Sequence, residues 1–128
     1  MTEPKLDLTI NSSDPEIFRQ QMEESAEIYW QFSNNLESAR SRVAGLKLEL
    51  KRAEAEIANE LRRSEAKMSE ARIERSLYDN EDYIRIMEQF NAARELEGKF
   101  GAIVKSLDIR HGLILSIAGM KKREARIF

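Results

Sequence analysis

The stretch LKLELKRAEAEIANELRR, residues 46–63, decides the fold. Leu46, Leu50, Ala53 and Ile57 recur in alternating steps of four and three. That spacing keeps one face of an α-helix against a neighbour. Followed backward, the same seam runs without interruption through Phe18, Met22, Ser25, Tyr29, Phe32, Leu36, Ala39 and Val43. A coiled-coil helix of at least 15–62 is expected, roughly 70 Å long at 1.5 Å per residue. A lone helix of that length cannot bury its stripe, so it must pack against something.

The helix has a recognisable start. In NSSDP (11–15), Asp14 is placed to cap free backbone N–H groups, and Pro15 suits the first helical position. Glu16 adds a favourable charge at the positive end of the helix dipole. Before it, Leu6, Leu8 and Ile10 alternate with Asp7 and Thr9, which reads as a short extended segment over 1–13. Past Leu61 the pattern weakens, and a bend is expected near 64–69 within a first helical region of 14–78. SLYDNED (76–82) is the clearest break, with Asp79 and Asn80 as turn or cap residues.

A second helix is expected over 79–119, with Gly119 as its C-cap and a basic tail at 120–128. Its apolar positions are Tyr83, Ile86, Met87, Phe90, Leu96, Phe100, Ile103, Val104, Leu107, Ile114 and Ile117. Gly98, Gly101 and Gly112 lie inside this pattern, and Gly98 and Gly101 are read as sites of close helix approach. Between 100 and 118 the apolar residues cover more than one face, so a second neighbour is needed. The expected architecture is all-α: a long antiparallel helical hairpin assembling as a ring-like homo-oligomer. Phe100, Ile103, Val104, Leu107, His111, Ile114 and Ile117 are the expected oligomerisation residues.

Composition narrows the function. The chain has 128 residues, 34% of them charged, and no cysteine, so disulfides, thiol nucleophiles and cysteine zinc sites are excluded. His111 is the only histidine and reads as a packed interface residue. The acids sit at helical surface spacing beside bases, and no Gly-rich phosphate loop is present. A non-enzyme without metal or cofactor is expected. MTEPKLDLT has neither the basic nor the apolar region of a signal peptide. The apolar run GLILSIAG (112–119) is far short of a membrane span. The expected location is the cytoplasm, or the host cytoplasm for a phage-encoded protein.

The net charge of −2 hides an asymmetry. Residues 1–39 carry two bases and eight acids; residues 40–75 carry ten bases and seven acids. One face of the first helix reads Arg40, Ala44, Lys47, Lys51, Ala55, Ala58 and Arg62, with Glu49, Glu54, Glu56 and Glu60 assigned to other faces. Arg63 and Lys67 extend it. Two readings stand: a coiled-coil flank paired to acids of a neighbouring helix, or a row of phosphate contacts. Trp30, beside the seam, is read as a cover over Leu8 and Ile10, with base stacking as the other option.

Four segments carry a resemblance to the UvsY family of phage recombination mediators. They are DLTINS (7–12), EAEIANELRR (54–63), LYDNEDYIR (77–85) and VKSLDIRHGLILSI (104–117). The resemblance implies a ring-like homo-oligomer that binds single-stranded DNA. Such a mediator helps load a RecA-like recombinase where a single-strand-binding protein already sits. The family's basic-x-basic DNA contact falls on Arg62 and then on Ser64, so this sequence departs at the second position, and Arg63 stands in. The region after Ser64 also lacks the family's Gly-rich insertion. The nucleic-acid-binding residues are therefore expected to be Arg40, Lys47, Lys51, Arg62, Arg63 and Lys67. The alternative is a homo-oligomeric coiled-coil adaptor without nucleic acid; a third reading is a regulator of a host enzyme whose acidic head mimics DNA.

Overall fold

The computed structural model describes residues 9–64 and 69–127, with side chains as far as Ala125. They form three helices, α1 (Pro15–Ser64), α2 (Glu70–Asp79) and α3 (Glu81–Ile127), and no strand. The protein is all-α. No helix among these residues is long and apolar enough to cross a membrane. Leu6 and Leu8 of the expected extended segment lie outside the described residues.

Side chains set the helix ends. Asn11 Oδ1 accepts from the backbone and hydroxyl of Ser13, at 3.2 and 2.8 Å. Asp14 Oδ1 then accepts from the Glu16 and Ile17 N–H groups at 3.0 and 3.3 Å, satisfying donors that a first turn leaves open. At the other end, Ser64 Oγ donates to the carbonyls of Glu60 and Leu61, both at 3.1 Å. Ser69 caps α2, accepting from the Arg72 N–H. Asn80 serves two helices at once. Its N–H donates to the Leu77 carbonyl at 3.1 Å and closes α2, while its Oδ1 accepts from the Tyr83 N–H at 3.0 Å and opens α3. A short polar side chain between two helical segments performs both tasks without a glycine.

The heptad seam of α1 faces inward throughout. None of its positions from Phe18 to Ile57 is exposed, and Phe18, Ser25, Phe32, Leu36, Ala39, Leu46 and Leu50 are buried. On α3 the positions 83, 86, 90, 93, 97, 100, 104, 107, 111, 114, 118 and 121 alternate in steps of three and four, and none is exposed.

One expectation fails at the end of α3. The helix does not stop at Gly119 but continues to Ile127. Gly119 does not take the positive φ that a glycine C-cap uses. Lys121, beyond it, is tied down instead: its Nζ donates to the Ser12 carbonyl and sits 5.0 Å from the centroid of the Phe18 ring.

The chain divides into two compact units, Met1–Leu36 with Phe100–Phe128, and Glu37–Lys99. In the first, Lys121 meets Phe18, His111 meets Ser25, and the Phe100 ring lies 6.4 Å from that of Phe32. Numbers rise along α1 as they fall along α3, so these segments run in opposite directions. Leu107 and Ile114 are buried in the same stretch, Ile114 with no exposed surface. In the second unit the core is Ala39, Leu46 and Leu50 of α1, Ile73 of α2, and Tyr83 and Ala93 of α3.

The glycines overturn another expectation. A Cβ added at Gly98 or Gly101 would meet nothing within 4 Å. No close approach within this chain explains them, because the apolar seam of α3 turns other residues toward α1.

Candidate nucleic-acid interface

The basic row lies on the second unit. Lys47, Lys51, Arg62 and Arg63 are exposed along α1, and Ala44 and Ala55, one turn from Lys47 and Lys51, are exposed too. No ion pair holds these four bases among the described residues. Arg40 differs. Its Nη1 pairs with Glu37 Oε1 at 2.9 Å, one turn back on the same helix. Such exposed pairs contribute only about 0.3–0.5 kcal/mol, so Arg40 remains exchangeable. Lys67 lies outside the described residues.

The row is not free of acid, which corrects the sequence reading. Glu54 stands seven residues from Lys47 and fourteen from Arg40, so all three share one heptad position. Its carboxylate is engaged rather than loose: Tyr83, from α3, donates its hydroxyl to Glu54 Oε1 at 3.0 Å. Tyr83 is buried, and its ring stands edge-on to Tyr78, 6.4 Å away. Burial pushes the Tyr83 hydroxyl up from 10.0 to about 12, helped by the hydrogen bond to Glu54 and the Glu54 charge.

Arg62, the residue carried over from the family likeness, occupies a distinct setting. It lines a groove of about 370 Å³ between α1 and α2 together with Glu54, Glu70 and Glu74, above Ile73 and Leu77. Three glutamates thus line the groove with Arg62, and none forms an ion pair with it among the described residues. A phosphate approaching Arg62 meets these carboxylates, whereas Lys47 has no acid three or four residues away and Lys51 has only Glu54. Glu70 and Glu74 come from α2, whose placement the periodicity of α1 does not encode.

The described residues leave Trp30 largely uncovered. It is 68% exposed on α1 in the first unit. Ile10 is half-buried, and Leu8, the other residue Trp30 was expected to cover, lies outside the described residues.

The residues assigned to oligomerisation are spent largely within the chain. Leu107 and Ile114 are buried, Phe100 packs beside Phe32, and Ile103, Val104 and Ile117 are half-buried. His111 Nδ1 and Ser25 Oγ share a hydrogen bond of 2.8 Å. This is not a nucleophile and its base in working form, because Ser25 is buried mid-helix and out of reach of a substrate. The pair satisfies two polar groups inside an apolar seam.

No known protein family matches the chain, and no curated protein or solved structure shows a significant match to it.

Proposed function

We propose that this protein is a single-stranded DNA-binding recombination mediator. In this reading its helices form an antiparallel coiled-coil hairpin, and several copies assemble into a ring that presents their basic rows together. The observation that carries it is the pair Lys47 and Lys51: exposed on one face of a rigid helix, one turn apart, flanked by alanines, and held by no acid of their own chain among the described residues. A phosphate backbone can approach such a face closely, and its counterions are released as it does. The resemblance to UvsY-type mediators adds the rest of the role. The ring holds a strand in a form that a RecA-like recombinase takes over from a single-strand-binding protein.

Binding by phosphate contacts alone carries little sequence preference. Multivalency then supplies affinity that one modest row lacks. Fluorescence anisotropy with labelled oligonucleotides across salt tests the reading. Binding at low salt, falling with a log–log slope of about −0.7 per phosphate contacted, is expected. Absence of binding at low salt, or unchanged affinity in Lys47→Ala with Lys51→Ala, leaves the adaptor reading. Arg62 shares its groove with Glu70 and Glu74 of α2, which supports that second reading locally.

A further inference from the structure

α3 carries a second seam that the described residues of its own chain leave uncovered. Ala102, Ser106, Ile109, Leu113, Ser116 and Met120 recur in alternating steps of four and three, and all six are exposed. None is charged. Ile109, Leu113 and Met120 are between 52% and 59% exposed. A helix with two apolar seams is built for two neighbours, and in this unit α1 supplies only one. Gly112, which neighbours Ile109 and Ser116 at helical spacing, has open space where a Cβ would stand.

A buried charge lies along the edge of this seam. Arg110 neighbours Ser106 and Leu113 of the open seam and Leu107 and Ile114 of the buried one, each three or four residues away. It is only 8% exposed. Its Nε is buried without a hydrogen-bond partner, and no ion pair reaches it among the described residues. A guanidinium stays protonated at any relevant pH, so this positive charge calls for an anion.

The same unit holds the complement. On α1, Ile17, Gln21, Glu24, Ile28 and Gln31 form a row in steps of four and three, with one carboxylate between two isoleucines. Glu24 is exposed, and no ion pair holds it among the described residues, whereas Glu16 pairs with Arg19 at 3.8 Å. The α3 row has an unpartnered cation at its edge; the α1 row has an unpartnered anion between its two isoleucines, with Gln21 bonded to Thr9 and Asn11 of its own chain.

We infer that the open seam of α3 is covered by α1 of a second copy, with Glu24 of that copy pairing with Arg110. Two copies satisfy in each other what neither satisfies alone. The contact uses the face of α3 opposite to the residues that pack against its own α1. It rests on the assembly half of the proposed function and not on the DNA half.

Light scattering after size exclusion tests this on the full chain, with circular dichroism as the check on folding. The unaltered protein is expected to be oligomeric. Arg110→Glu and Glu24→Arg should each at least halve the particle mass, and the two together should restore it. Leu113→Asp, at an exposed position, should also lower the mass while helix content stays unchanged. Leu115→Asp, exposed but off the seam, should leave the mass alone. A monomeric parent protein overturns the inference. So do a Glu24→Arg or Leu113→Asp variant of parental mass and a charge swap that fails to reassemble. Should Arg110→Glu fail to fold, the Glu24 and Leu113 variants decide alone. Anisotropy on the same samples separates the two halves: an intact oligomer that ignores oligonucleotides rejects the DNA reading and leaves this contact standing.

Discussion

Tyr83 reaches across 29 residues of sequence to donate its hydroxyl to Glu54 at 3.0 Å. The bond ties α3 to α1 inside the second unit and holds the one carboxylate that shares a heptad position with Lys47. Its pH dependence has a definite sign. The folded hydroxyl keeps its proton to about 12, while the unfolded one loses it near 10.0. Between those values the folded state binds more protons, so stability present below pH 10 declines as pH rises toward 12. Alkaline unfolding followed by circular dichroism should show this decline in the parent protein and lose most of it in Tyr83→Phe. An identical alkaline profile for both would separate the bond from stability.

Ile114 and Leu107 test the packing of the first unit. Both are buried against their own chain, so aspartate at either position disrupts folding before it can report on assembly. Alanine is the cleaner change. Ile114→Ala should cost about 2–5 kcal/mol in urea unfolding, the range for truncating a fully buried branched side chain. A cost below about 1 kcal/mol would mean that Ile114 is not held in a packed seam.

Asn80 is a single residue with two tasks. Asn80→Ala keeps the backbone bond that closes α2 and removes the side chain that opens α3. A loss of about 1 kcal/mol in urea unfolding is expected, as for other N-cap deletions. Asn80→Asp should retain most of it, since its carboxylate also accepts from the Tyr83 N–H beside the positive end of α3.

The groove around Arg62 predicts a gain. Replacing Glu70 and Glu74 with glutamine removes two negative charges while preserving shape. If strand binding uses Arg62, affinity at low salt should rise about threefold, equivalent to about 0.7 kcal/mol, and the advantage should shrink at high salt. Titration of both proteins with one labelled oligonucleotide checks it, and equal affinity would place the strand away from Arg62.

The two long helices were legible because their signal is local and repetitive. Every seam position of α1 from Phe18 to Ile57 avoids solvent, as the spacing alone implies. The Asp14 cap and the break at Asn80 were legible for a similar reason, since short polar side chains at helix ends act within three residues. The basic row was legible as a row but not in its surroundings. Lys47 and Lys51 stand open, whereas Arg40 holds Glu37 and Arg62 faces carboxylates brought by α2.

By itself, then, the sequence determined that this protein is helical, where α1 begins and α2 gives way to α3, and which stripe of each long helix turns inward, because backbone periodicity and capping are settled within a turn or two. Only the tertiary structure decided which inward stripe meets which. It paired Tyr83 with Glu54 and His111 with Ser25, and it spent Leu107 and Ile114 inside the chain, which left Ile109, Leu113 and Met120 outside. The physical reason is that a helix broadcasts an apolar face without naming its neighbour. Register between distant segments is chosen by the packing of whole faces, and so is the exposure of what remains.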